Sequence, residues 1–109
     1  MPLLPDRSRE ISVELARPIV EYVEQTLRNG SGGMLAQEDF EAHAAEFFLT
    51  SREEMHKFSH DIHGGLQIFL ASYIPMIMSY PDAAITVLAG YIQAFVIQHE
   101  LKERSYATG

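Results

Sequence analysis

The chain has 109 residues, of which 47% are hydrophobic and 21% are charged, and it contains no cysteine. This size and composition predict one globular domain and exclude disulfide bonds, thiolate metal sites and a cysteine nucleophile. Fifteen acidic against eight basic residues give a net charge of −7, which disfavours nucleic acid as a partner. The amino-terminal residues MPLLPDRSRE carry no secretory signal pattern, so we expect a cytoplasmic protein.

Apolar residues recur along the chain at spacings of three and four, whereas the period-two alternation typical of strands is nearly absent. The sequence therefore predicts an all-α single domain. It consists of a short lead over 1–7 and helices over about 8–28, 37–49, 52–79 and 82–106. Four helices with short connections predict an up-and-down four-helix bundle whose last two helices form an antiparallel hairpin. The third helix begins near Arg52 with a capping-box pattern, which fits either Thr50 with Glu53 or Ser51 with Glu54.

Two long stretches, Ile62–Pro81 and Ala83–Gln98, contain no Asp, Glu, Lys or Arg. We reject a membrane hairpin, because polar residues, glycines and a proline interrupt the first stretch and the second is shorter than a span of about 20 residues. We instead expect buried core helices or the interface of a homodimer. The predicted interface consists of Met76, Ile77, Met78 and Tyr80.

The third predicted helix carries three of the five histidines, namely His56, His60 and His63. At about 100° per residue, His60 lies opposite the apolar stripe and is expected to be exposed. Gly64 follows one turn later on the same face, with Gly65 beside it. Because each glycine costs a helix about 1 kcal/mol relative to alanine, the pair indicates room for close approach by another backbone beside the imidazole.

The string His60-Asp61-Ile62-His63-Gly64-Gly65 resembles the motif of histidine phosphotransfer domains. The string Phe58-Ser59-His60-Asp61-Ile62 resembles, less closely, the histidine box of sensor-kinase dimerisation helices. Both families carry the phosphohistidine on an exposed face of a four-helix bundle. The resemblance implies a signalling module that exchanges a phosphoryl group with a response-regulator receiver domain or a sensor kinase.

By this resemblance, His60 is the phosphoacceptor, His63 stands where the family places a charge-compensating basic residue, and Gly64 is the contact glycine. The receiver domain brings magnesium and the acidic site, so the chain itself needs no cofactor. Chemically, a neutral imidazole is a nucleophile near pH 7, and phosphoryl transfer needs mainly positioning and charge compensation. The remaining residues that we assign to partner binding are His56, Lys57, Gly65 and Gln67.

Two other interpretations of the chain stay open. His56, His60 and His63 project within one arc of a helix, so they are an alternative metal or haem site with Glu53, or with His43 or His99, as a further ligand. Alternatively, the chain is a non-catalytic helical interaction protein, such as a homodimeric adaptor or inhibitor. The sequence shows no Ser-His-Asp pattern, phosphate-binding glycine loop or dinucleotide fingerprint, so autonomous enzyme activity is not expected.

Overall fold

The computed structural model describes residues 5–30 and 35–104, and within these stretches the chain is helical with no named strand. The helices are α1 (Pro5–Arg28), α2 (Gln37–Ala44), α3 (Arg52–Ser72), α4 (Ile74–Ser79) and α5 (Pro81–Gln98). The predicted all-α class is therefore confirmed. The beginning of the predicted lead, residues 1–4, and the end of the last predicted helix, residues 105–106, lie outside the described residues.

The described chain has five helices where the sequence predicted four, so the simple four-helix arrangement is not reproduced. The helix predicted over 52–79 is divided at Tyr73 into α3 and α4. Pro75 in the first turn of α4 explains the division, because proline has no N–H to continue a helix and its ring clashes with the preceding turn. The helices predicted over 37–49 and 82–106 end earlier, at Ala44 and Gln98.

Helix α3 begins at Arg52, and of the two capping boxes that the sequence allowed, the structure has the one at Ser51. The side chain of Ser51 accepts a hydrogen bond of 3.1 Å from the backbone N–H of Glu54, which satisfies one of the unpaired amides of the first turn. Two contacts fix the relative direction of α3 and α5. Phe58 packs edge-on against His99, and Phe69 stacks on Tyr91, so the two helices run antiparallel.

The core lies between α1 and α5, which pack together most extensively, and extends to α2 and α3. Its largest side chains are aromatic: Phe58 is fully buried, with ring centroids 5.9 Å from Phe40 and 6.2 Å from Phe48. Phe47 and Phe69 are half-buried and pack against the edge of this core.

The homodimer interface predicted at Met76, Ile77, Met78 and Tyr80 does not form one exposed surface. Ile77 is fully buried in the chain's own core, because α4 packs against α1 and α5, and the two methionines are half-buried. Only Tyr80 is widely exposed, at 70%. Among the described helices, none has both the length and the apolar character that crossing a membrane requires.

After α5 the chain runs back along the end of α2. The N–H of Leu49 donates to the carbonyl of Lys102, and the N–H of Arg104 donates to the carbonyl of Phe47, each at 2.8 Å. Between them, the carboxylate of Glu103 accepts a hydrogen bond of 2.9 Å from Nε of Arg7. This ion pair connects the first turn of α1 to the end of the described chain.

We expect the Arg7–Glu103 pair to make stability depend on pH. The hydrogen bond from Arg7 lowers the pKa of Glu103 below its ordinary value of 4.5. The stabilisation is therefore fully present above pH 4.5 and is lost as the pH falls through the lowered pKa of the folded state. Since both side chains are about one-third exposed, the pair contributes less than about 1 kcal/mol.

The substitution Glu103→Gln tests this pair by urea unfolding at pH 7 and again near pH 2.5. The variant is expected to be less stable than the wild-type chain at pH 7 and equally stable at the lower pH. An equal difference in the free energy of unfolding at both pH values would contradict the prediction. Glu10→Gln, which changes the more exposed carboxylate that also contacts Arg7, is the matched control and is expected to show a smaller pH-dependent difference.

Candidate functional site

The imidazole of His60 lies on the exposed side of α3, as the sequence predicted. It makes no hydrogen bond or ion pair with another described side chain, whereas His56, His63 and His99 each have a polar neighbour. The His60 side chain is thus exposed and without a polar partner within the described part of the chain. Helix α3 positions this side chain, because the opposite face of the same turn is anchored in the core by Phe58 and Ile62.

The two glycines after the histidines have different surroundings. Gly64 is exposed, and a Cβ atom built on it would meet nothing within 4 Å, so the surface one turn beyond His60 is open. Gly65 instead lies under Tyr91, whose Cζ atom is only 3.0 Å from the position of a Cβ. The Tyr91 hydroxyl donates a 3.3 Å hydrogen bond to the carbonyl of Ile62. Gly64 therefore leaves open space at the surface, whereas Gly65 allows Tyr91 of α5 to contact α3.

His63 and Gln67 connect α3 to the segment that precedes α2. The Nε2–H of His63 donates to the carbonyl of Leu35 at 2.9 Å, and the side-chain amide of Gln67 donates to the same carbonyl. Nε2 of His63 and Nε2 of Gln67 are also 3.0 Å apart, and both side chains are half-buried. The resemblance implies that residue 63 carries a positive charge that faces the phosphoryl group. In the structure, Nε2 of His63 instead makes a hydrogen bond within the chain, to the carbonyl of Leu35.

His56 and Lys57 lie within the turn of α3 that precedes His60. His56 is exposed, and its Nδ1 lies 3.0 Å from a carboxylate oxygen of Glu41 on α2. Lys57 is exposed three residues before His60. Residues three apart on a helix share a face, so the ammonium group of Lys57 is the nearest cation along α3 on the side that carries His60.

The structure does not bring the three histidines of α3 together as metal ligands. His56 contacts Glu41, His63 contacts Leu35, and His60 faces solvent. Across residues 5–30 and 35–104, no three His, Asp or Glu side chains are placed so that they could hold one metal ion. The alternative metal or haem site therefore has no support in the geometry of the described residues.

A contact that the sequence did not indicate lies directly beside His60. Nε2 of His99, at the end of α5, is 3.1 Å from a carboxylate oxygen of Asp61, and the imidazole is mostly buried against Phe58. From the sequence, His99 was a candidate further ligand of the alternative metal site, and its contact with Asp61 was not expected. Asp61 and His99 are 38 positions apart, so no local pattern could have revealed the pair.

Comparison with known proteins gives no match to a protein-family model, to a curated protein or to a solved structure. The chemistry of the site is therefore indicated by its own residues. An exposed imidazole on a well-packed helix can act as a nucleophile near pH 7, and the open surface at Gly64 allows a macromolecular partner to approach it.

Proposed function

We propose that the chain is a histidine phosphotransfer module, in which His60 accepts a phosphoryl group from a receiver-domain partner and passes it on. One observation carries this proposal: the His60 imidazole is exposed and has no polar partner among the described residues, with the open surface of Gly64 one turn away. The resemblance of the His60 to Gly65 string to phosphotransfer domains supports the same assignment.

The proposed step transfers a phosphoryl group between two side chains. A lone pair on one ring nitrogen of neutral His60 attacks the phosphorus of an aspartyl phosphate, and an N–P bond forms as the acyl P–O bond breaks. The aspartate leaves as a carboxylate, and the second ring nitrogen keeps its proton. The receiver domain supplies the divalent cation that balances the charge of the phosphoryl oxygens.

Within this chain, we assign the compensating positive charge to Lys57 rather than to His63. Lys57 is exposed on the face of His60, and its long flexible side chain carries three N–H donors for phosphoryl oxygens. His63 instead holds the fold, since its Nε2–H donates to the Leu35 carbonyl. The helix therefore provides a nucleophile at position 60, a cation at 57 and space at 64.

The decisive experiment incubates the purified chain with a panel of receiver domains charged by labelled acetyl phosphate in the presence of magnesium. The expected result is an acid-labile, base-stable label that maps to residue 60. His60→Gln should abolish the label and leave the melting temperature unchanged, because the replaced side chain makes no described contact. Label that persists in His60→Gln, or no label from any receiver domain, would overturn the proposal.

Gly64→Leu separates the nucleophile from the docking surface. A Cβ here meets nothing within 4 Å in the described chain, so the variant should fold, but its larger side chain should obstruct a partner one turn from His60. We expect transfer from a receiver domain to fall at least about tenfold, a loss of about 1.4 kcal/mol in transition-state stabilisation. Labelling by phosphoramidate, a small chemical donor that needs no docking, should continue at the wild-type rate.

A further inference from the structure

The solvent-facing side of α5 carries almost no charge. Beyond Asp82 in the first turn, its exposed residues are Ala83, Thr86, Val87, Gly90, Ala94, Ile97 and Gln98. Val87 is 39% exposed and Ile97 is 54% exposed. This is unusual in a molecule with a net charge of −7, where the exposed sides of α1 and of the first half of α3 carry many charged residues. The function proposed for His60 does not use this surface.

The apolar residues on this surface follow the spacing of a helix–helix interface. Ala83, Val87, Gly90, Ala94 and Ile97 are separated by four, three, four and three positions. An average of 3.5 residues keeps a stripe on one side of a helix, and it is the spacing at which two helices pack along a common seam. In this chain the stripe lies opposite the buried residues of α5, so no described element covers it.

The stripe is complementary to itself when a second copy is turned end for end. Gly90 is its centre, because Ala83 and Ile97 each lie seven positions away and Val87 and Ala94 lie three and four positions away. A two-fold axis at Gly90 therefore places Ile97 of one copy opposite Ala83 of the other, and brings Val87 within one residue of the level of Ala94. Each large side chain meets a small one, and the two glycines meet at the crossing point, where the absence of Cβ lets the backbones approach.

We propose that this face of α5 pairs with the same face of a second copy in an antiparallel homodimer centred on Gly90. A closed two-fold dimer requires a surface that is complementary to itself, and this stripe has that property. Electrostatics favour the same face. Two molecules of charge −7 repel each other through their charged surfaces, whereas the stripe on α5 brings no like charges together. The interface thus lies on α5, and not at Met76–Tyr80.

The size of the surface predicts a reversible dimer. The 18 residues of α5 extend over about 27 Å, so one helix pair buries an area at the lower end of known interfaces, which is typical of weak complexes. Because repulsion between the two acidic molecules is screened by salt, association should strengthen as ionic strength rises.

Cysteine cross-linking tests the pairing directly, because the full chain contains no cysteine of its own. Gly90→Cys should form a disulfide-linked dimer on mild oxidation, since the two copies of residue 90 meet at the axis. Ala83→Cys alone should not, because antiparallel pairing separates its two copies by about 21 Å along the helices, beyond the reach of a disulfide. A mixture of Ala83→Cys and Ile97→Cys chains should cross-link to each other. A disulfide-linked dimer of Ala83→Cys alone, which a parallel pair would form, would overturn the proposal.

Sedimentation of the unmodified chain over a range of concentrations provides the second measurement. The expected result is a monomer–dimer equilibrium whose dissociation constant rises at least about tenfold in Gly90→Leu. This variant should retain its helical circular dichroism, because a Cβ at Gly90 meets nothing within its own chain. A chain that stays monomeric at millimolar concentration, that floats with phosphatidylcholine vesicles as a monomer, or that dimerises equally well as Gly90→Leu would overturn the proposal. These results do not depend on whether His60 is phosphorylated.

Discussion

Replacing Phe58 with alanine is expected to lower the free energy of unfolding by about 3–5 kcal/mol. Phe58 is fully buried at the junction of three parts of the chain, where its ring packs against Phe40, Phe48 and His99. No backbone segment can readily move into the cavity that the substitution leaves, because α2, α3 and the end of α5 all pack around this ring. The loss is a large fraction of the 5–15 kcal/mol that stabilises a typical domain.

Urea unfolding followed by circular dichroism measures this loss. Ile68→Ala is the matched control, because it removes a large apolar side chain from the same helix at a position that is 70% exposed, and it should change stability by less than about 0.5 kcal/mol. If Phe58→Ala does not fold, Phe58→Leu keeps most of the volume and should lose about 1–2 kcal/mol. A loss below that of Ile68→Ala would contradict the packing described here.

Alanine substitutions at the two adjacent glycines are expected to change stability in opposite directions. Gly64→Ala should stabilise the chain by up to about 1 kcal/mol, since alanine favours the helix and its methyl group meets open space. Gly65→Ala should destabilise it by about 1–3 kcal/mol, because the methyl group would occupy the place of the Tyr91 hydroxyl. To make room, the tyrosine must give up its hydrogen bond to Ile62 and shift its ring against Phe69.

Melting temperatures of the two variants and of a double variant test this difference. Tyr91→Phe removes the hydroxyl that meets the new methyl group, so it should restore part of the stability lost in Gly65→Ala. The remaining loss reflects the ring carbon, which is 3.0 Å from the Cβ position. Equal melting temperatures for Gly64→Ala and Gly65→Ala would show that Tyr91 does not lie against α3 as described.

Several features of the fold and site could be predicted because they depend on local or periodic patterns. Three- and four-residue apolar spacing predicted helices, the Ser51–Glu54 pattern predicted the start of α3, and the angular position of His60 predicted its exposure. The division at Tyr73 was harder to predict. The apolar spacing of α3 continues through Pro75 into α4, so periodicity alone merges two helices into one.

The contacts of the other histidines could not be predicted, because their partners are distant in sequence. His63 reaches a backbone carbonyl 28 positions away, and backbone groups leave no trace in residue identity. Gly64 and Gly65 are identical in sequence, yet one faces open space and the other faces Tyr91. Only the packing of α5 on α3 distinguishes them. The proposed α5 interface was obscured in the same way, since an uncharged stretch by itself does not show which side of the helix is buried.

The carbonyl of Leu35, which accepts from both His63 and Gln67, affects how the proposed receiver-domain partner would bind. These hydrogen bonds hold the part of α3 that follows His60 against the segment before α2. The buried ring of Phe58 holds the part of α3 that precedes His60 in the core. The turn that presents the imidazole is thus preorganised, and little backbone entropy remains to be lost when a second molecule docks. Recognition at this surface should accordingly depend on shape and charge complementarity, with a small entropic penalty for association.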